Sequence, residues 1–221
     1  MWTRFFPAVE HARWLIASGA IGDVVLAQAD FATHYCAQVA PLAFGEDARP
    51  DTVVSVGKEA AGFMASYDQG ARLMVGTCPP FPSEPPEVTA ITGTKGRITL
   101  NDPAHCPTSL EVHTSGELAP HRYMTENLPA PSESFEYPLP DGLERVAPGV
   151  NQGGFIYVLE AVHRCLAAGL TVCPQYNQAE SLRTLELVDA ASLWKVTRFL
   201  DPETMESEKQ RYEEMEAKAK L

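Results

Sequence analysis

The chain has 221 residues, 45% of them apolar and 21% charged, with a formal net charge of −12. That length is enough to bury a real core and sets one domain as the expectation, while the apolar content excludes an intrinsically disordered chain. The acidity argues against a nucleic-acid partner, because phosphate contacts need clustered lysine and arginine.

Part of the acidic excess is local, in the Glu-rich stretch after Asp201. No apolar run approaches the roughly 20 residues that span a bilayer. The opening Met1-Trp2-Thr3-Arg4-Phe5-Phe6-Pro7 lacks the apolar core and cleavage pattern of a signal peptide. A cytoplasmic protein with no membrane partner is the expectation. The five cysteines include no CxxC pair and read as reduced and mostly packed. His105-Cys106 lacks neighbouring ligands at zinc spacing, so no metal site is expected.

In chain order, Val9, Ala12, Arg13, Leu15 and Ile16 recur at helical intervals between Phe6 and Ser18. Pro7 suits the first turn of that helix and Gly19 ends it. Ile21-Gly22-Asp23 then turns into a strand, Val24 to Phe31, apolar enough to lie well inside a sheet. His34 to Phe44 reads as a short helix with Pro41 disturbing its middle.

From Arg49 to Val112 short strands follow one another. Thr52 to Val56 comes first. Phe63–Tyr67 and Arg72–Thr77 flank the hairpin turn Asp68-Gln69-Gly70. Val88–Thr92 and Arg97–Leu100 flank Gly93-Thr94-Lys95-Gly96, and Leu110–His113 completes the run. Pro79 to Pro86 must leave the sheet or follow an edge, since prolines donate nothing to a ladder. Residues 115–149 are loop-rich, with Phe135-Glu136-Tyr137 as a candidate edge strand.

Gly154 to Gly169 has the pattern of a strong helix, with Ile156, Leu159, Val162, His163 and Leu166 on one stripe. That position favours a packed core histidine at His163. A second helix runs from Asn177 to about Phe199, carrying Leu182, Leu185, Val188, Ala191, Leu193 and Trp194. Asp201-Pro202-Glu203 has the capping chemistry to open a third, polar on nearly every face and therefore solvated.

The expected fold is α+β: an open antiparallel or mixed sheet of about six strands with helices packed on one face. This domain covers residues 1–200, and residues 201–221 form an exposed charged C-terminal helix. The uncovered sheet face is the expected homodimer surface, since an apolar face of several strands exceeds the few hundred Å² tolerated on a monomer.

Several separated stretches carry a family resemblance. They are Met1 to Pro7, Ile21-Gly22-Asp23 before the strand ending Ala29-Asp30-Phe31, Gly93-Thr94-Lys95-Gly96 and Cys106-Pro107-Thr108. The helix from Tyr157 through Glu160, Ala161, His163, Arg164 and Cys165 to Gly169 belongs with them. Together they resemble the C-terminal α/β domain of the Gfo/Idh/MocA oxidoreductases, in the branch of dimeric dihydrodiol dehydrogenases and NADP-dependent D-xylose dehydrogenases. Members carry an N-terminal Rossmann domain ahead of the point where this chain begins. No G-x-G-x-x-G follows a strand here, and the family's glutamate-lysine-proline motif is absent; neither Lys95 nor Lys58 replaces it.

The resemblance implies NADP as cofactor and a sugar or cyclic diol as substrate, with hydride moving between a CH–OH carbon and the nicotinamide. Tyr35-Cys36-Ala37-Gln38 resembles the tyrosine end of a family motif whose aspartate stands four residues earlier, where this chain has Phe31. Tyr35 is the candidate proton relay, with a packing tyrosine as the equal alternative. Arg4 is the candidate cofactor-binding residue or an arginine stacked on its aromatic neighbours. Trp2, Phe5 and His34 are candidate substrate contacts, against core aromatics and a solvated histidine. Two functions follow. One is a truncated or partial NADP-dependent oxidoreductase; the other is a non-catalytic remnant that dimerises or binds a small ligand.

Overall fold

The computed structural model describes residues 2–30, 37–56, 62–76, 87–101, 103–114, 132–143, 152–192 and 196–198. The proline-rich insertion and the helix expected over 201–221 lie outside these residues. A 3-10 turn, Trp2–Phe5, leads into α1, Pro7–Ala17, where the proline's missing N–H falls among groups that have no helical partner anyway. Strand β1, Val24–Asp30, precedes the short helix α2, Val39–Phe44. Pro41 is the third residue of α2, still within the turn whose N–H groups are unpaired, so the helix accommodates it.

Then come β2 (Thr52–Val56), β3 (Gly62–Ser66), β4 (Arg72–Gly76), β5 (Thr89–Gly93), β6 (Gly96–Leu100), β7 (Ser109–Thr114) and β8 (Ser132–Glu136). Helices α3 (Phe155–Ala167) and α4 (Gln178–Ser192) and strand β9 (Val196–Arg198) complete the described elements. Gln69 adopts the left-handed conformation (φ 58°) that closes the three-residue turn between β3 and β4.

The strands form one sheet in the order β8-β7-β6-β5-β1-β4-β3-β2-β9. β1 runs parallel to β4 and antiparallel to β5, and the other neighbours pair antiparallel. The α+β class and the mixed sheet agree with expectation. The nine strands exceed the expected half-dozen, because β1 inserts between two hairpin runs and β8 and β9 extend the edges.

Alternation gives the sheet two chemically different faces. One buried row reads Val53-Ala65-Leu73-Ala27-Ile91-Ile98-Val112 across successive strands. A neighbouring row adds Phe63, Val75, Ala29, Thr89, Leu100 and Leu110. Helices α1, α2 and α4 pack on this side through Val9, Ala12, Leu15, Leu42, Leu187 and Ala191. Among the described residues the opposite face is open, with Gln28, Val54, Met64 and Met74 exposed.

Two helices differ from the reading of their stripes. The segment expected to be helical to Phe199 ends its helix at Ser192, and β9 then pairs with the exposed edge of β2. An unpaired ladder edge and the β-branched Val196-Thr197 favour strand over helix there. The inward stripe of α4 is Glu180, Thr184, Leu187 and Ala191, while Leu182 and Leu185 face solvent. In α3 the expected inward stripe also faces out, with Leu159 63% and Leu166 72% exposed. His163 is exposed with it, not packed. α3 is held through Phe155, Tyr157 and the buried Ala161 against the turn at Trp2–Phe6.

The two faces predict opposite responses to truncation. Leu73→Ala removes a fully buried side chain and is expected to cost about 3 kcal/mol, whereas Gln28→Ala on the open face should cost about 0.5 kcal/mol or less. Urea unfolding followed by circular dichroism measures both.

Candidate functional site

The site is built around Arg4, which the Trp2–Phe5 turn carries inward to 3% exposure. Its Nη2 donates to Glu180 Oε1 on α4, and that carboxylate is buried as well. Local chemistry fixes Glu180. Its backbone N–H donates to Asn177 Oδ1 at 2.9 Å, capping α4, and Thr184 Oγ1 donates to its carbonyl at 2.9 Å. The Tyr176 ring lies 5.8 Å from the Arg4 guanidinium carbon. Arg13 ties the same segment to α1, donating to the Gln175 carbonyl at 2.9 Å while pairing with Glu10 at 2.8 Å. Burial lowers the Arg4 pKa to about 10, with the Glu180 charge opposing the shift, so the guanidinium remains charged at neutral pH.

Beside Arg4 lies a small cavity of about 40 Å³, between α1, α2 and the sheet at the carboxyl end of β1. Its surface is mostly apolar, with Val9, Leu42 and Leu100 in its wall, and Thr3, Arg4, Asp30, Gln38, Thr89 and His105 also line it. Gln38 is 4% exposed. Its Oε1, together with Nε and Nη1 of Arg4, has no hydrogen-bond partner among the described residues. Asp30 lies over Gly76 of β4, where a Cβ would collide with its carboxylate.

His105 stands on the same wall, its ring Nδ1 paired with the buried Glu87 carboxylate. Thr3 Oγ1 donates to the His105 carbonyl at 2.9 Å, and Ala104 N–H donates to the Glu87 carbonyl at 2.9 Å. The turn and the sheet therefore hold this pair from both sides. Trp2 stacks on Phe155 with centroids 4.6 Å apart and meets Phe6 edge-on at 5.3 Å. Gly154 makes that possible, since a side chain there would strike the Phe6 ring.

Of the residues singled out from the sequence, Arg4 lines the cavity, Trp2 stands beside its His105 wall, and Phe5 is half-buried in the same turn. Tyr35 and His34 lie outside the described residues. Sequence reasoning missed Glu87 and Glu180, noted Gln38 only within the Tyr35 motif and His105 only beside Cys106 in a metal pair it set aside. Glu180 left a trace as an acid in register with Thr184, Leu187 and Ala191. Among the described residues no group of three His, Cys, Asp or Glu side chains is placed to hold a metal, and no helix is long and apolar enough to cross a membrane.

No family model matches the chain. Sequence comparison finds trans-1,2-dihydrobenzene-1,2-diol dehydrogenases. The pig enzyme is 28% identical over 211 residues, 82% of this chain and 56% of its own length. The zebrafish enzyme is 28% identical over 221 residues, 86% and 59%. The chain thus spans rather more than half the length of these curated relatives. Among solved structures, Caulobacter crescentus aldose-aldose oxidoreductase with glycerol has TM-score 0.59 at 15% identity, over 90% of this chain and 62% of its own. Levoglucosan dehydrogenase with NADH and levoglucosan has TM-score 0.60 at 16% identity, over 90% and 65%. The fold is that of the Gfo/Idh/MocA oxidoreductases' sheet domain. The curated homologues are dihydrodiol dehydrogenases, in agreement with that part of the resemblance drawn from the residues.

The buried ion pair makes a sharp energetic prediction. Glu180→Gln leaves the Arg4 charge uncompensated and is expected to cost about 3 kcal/mol or more, whereas the double variant Arg4→Met/Glu180→Met should recover most of that loss. Equilibrium unfolding of the single and double variants measures the cycle.

Proposed function

We propose that this chain forms the substrate-side sheet domain of a nicotinamide-dependent oxidoreductase of the dihydrodiol or sugar dehydrogenase type, acting on a CH–OH group. The dihydrodiol dehydrogenase homologues carry the reading, and the cavity supports it by bringing Arg4, Gln38 and His105 to one place at the end of β1. Charge favours a neutral ligand over an anion, because Glu180 already answers Arg4, and Asp30 and Glu87 add negative charge nearby.

The dihydrodiol dehydrogenase homologues and the fold neighbours solved with glycerol and levoglucosan support the same substrate class. In this reading Tyr35 relays the hydroxyl proton, and Trp2, Phe5 and His34 shape the substrate side. Arg4, expected on the cofactor from the family resemblance, lines the cavity and is paired with Glu180. NADP is the proposed cofactor and supplies hydride acceptance when bound. Among the described residues no glycine-rich strand-to-helix turn offers its pyrophosphate a cradle, so these residues alone do not fit a dinucleotide. That observation also supports a second reading, a non-catalytic domain that binds a small ligand or dimerises. The three free cysteines among the described residues suit a reducing cytoplasm.

Two titrations test the proposal. Saturation-transfer NMR with D-xylose is expected to show binding by the folded chain. Gln38→Met should abolish that binding while leaving the melting temperature unchanged or raised, since an apolar isostere relieves an unsatisfied polar atom. No transfer from folded wild-type protein would overturn the cavity reading. Nicotinamide fluorescence with NADPH separates the two functions: saturable binding with turnover of D-xylose favours a catalytic unit, and sugar binding without either favours the ligand-binding domain.

The proposed partner is a second copy of this chain, across the open sheet face. Val54, Met64 and Met74 lie side by side there, 39%, 43% and 39% exposed. Met64→Lys/Met74→Lys is expected to convert a dimer to monomer by light scattering. A wild-type monomer at micromolar concentration would remove this part of the proposal.

A further inference from the structure

The structure assigns Cys165 and Cys173 to a dithiol site that reacts with a small-molecule disulfide and closes into an internal bridge between the end of α3 and the loop entering α4. Neither residue lines the cavity at β1, so the assignment is independent of what that cavity binds.

Backbone turns bring the two thiols together. Helix α3 ends at Ala167, and Gly169 takes the left-handed conformation (φ 67°) that reverses the chain. Gly169 N–H donates to the Leu166 carbonyl at 3.0 Å, and Leu170 N–H donates to the carbonyl of Cys165 itself at 2.8 Å. The returning loop turns again at Cys173, whose carbonyl accepts from Tyr176 N–H at 3.3 Å. The Cys165 and Cys173 side chains are hydrogen-bonded to each other, and Cys173 Sγ donates to Gln175 Oε1 at 3.9 Å. Arg13 donates to the Gln175 carbonyl at 2.9 Å, which ties the Cys173 side of the pair to α1. Both cysteines are half-buried, so a small reagent reaches sulfurs that are already neighbours.

Disulfide exchange needs a thiolate. Partial burial, and then the hydrogen bond to Cys173, raise the Cys165 pKa above that of an ordinary thiol. Cys165 therefore reacts second. Cys173 gives up its proton, and its sulfur attacks one sulfur of the small disulfide and expels the first thiolate. Cys165, released from its hydrogen bond, then gives up its proton, attacks the Cys173 sulfur and expels the second. Two protein thiols are oxidised, one small disulfide is reduced to two thiols, and both protons end on the expelled sulfurs. A bridge that small thiols reduce again is the form a disulfide takes in a reducing compartment.

The bridge acts on the segment that holds Arg4. Past Cys173 the chain carries Gln175, then Tyr176 with its ring near the Arg4 guanidinium, then Asn177, which caps α4 at Glu180. Closing the loop from Cys165 to Cys173 restricts the unfolded chain and fixes the entry to α4 in the folded one. The melting temperature rises in consequence, by about 5–10 °C.

The experiment equilibrates the folded chain with oxidised glutathione, then applies acid quenching, alkylation and tryptic mapping, with thermal unfolding by circular dichroism before and after. No lysine or arginine stands between Cys165 and Arg183, so one peptide holds both residues. That peptide is expected to lose two hydrogens and resist alkylation, the melting temperature to rise as stated, and dithiothreitol to reverse both changes. Cys165→Ser should instead trap Cys173 as a mixed disulfide with glutathione and abolish the rise. Buried Cys106, its thiol pushed up to about 11, is the internal reference and should stay unmodified. Glutathione on both residues at once, a bridge from either to another cysteine, or alkylation of both after equilibration would each overturn the assignment. A bridge that leaves the melting temperature unchanged would overturn its coupling to α4.

Discussion

A guanidinium stripped of water must be answered by an opposite charge, and in this protein that requirement joins the two ends of the described chain. Arg4 stands in the first turn and Glu180 on the last described helix, and each is buried against the other. The local geometry is arranged to serve the contact. Asn177 caps the helix through the N–H of Glu180, Thr184 bonds its carbonyl, and Arg13 pins the preceding loop to α1. Such a pair adds little net stability compared with apolar packing, but it tolerates no half-measures, because losing one member strands the other. Its strength lies in specificity of position. It sets where the Trp2–Phe5 turn sits, and with it one wall of the cavity.

The rest of the site inherits that placement. Thr3 is adjacent to Arg4 and binds the His105 carbonyl, so the ion pair and the Glu87–His105 pair share one anchored turn. The sheet supplies the floor through Thr89 and Leu100, which belong to a buried cross-strand row, and α2 supplies Gln38 and Leu42. Apart from Thr89, the two buried rows on the helix-covered side of the sheet are apolar.

Legibility from sequence followed the range of the interaction. The hairpins were legible because their signals are local: Asp68-Gln69-Gly70 and the glycine-bounded loop at Gly93–Gly96 sit between alternating apolar residues. Helix α1 was legible for the same reason. The orientation of α4 was not, because its inner face is chosen by a charge partner far away, and two leucines on the outer face outvote Glu180 and Thr184 in any apolar count. β9 was read as helix because only the vacant edge of β2, invisible in a local window, recruits it. At the site, Arg4 drew notice as a cation among aromatics, but its partner is remote. Gln38, Glu87 and His105 become a cluster only once β5, β6 and the first turn are assembled.

The position of β1 has a kinetic consequence. β2, β3 and β4 pair as one set of neighbours in sequence, and β5, β6 and β7 pair as another; each set can form from short loops at small entropic cost. β1 comes earlier in the chain than either set and is the seam between them, parallel to one and antiparallel to the other. Continuity of the sheet therefore waits on a single strand whose partners are both distant. Its buried residues, Ala27 and Ala29, are small, so the strand can slot between two preformed halves without demanding that their side chains first move aside. The fold is in this sense two hairpin assemblies riveted late by one thin strand, and the cavity at that strand's carboxyl end is completed only when the rivet is in place.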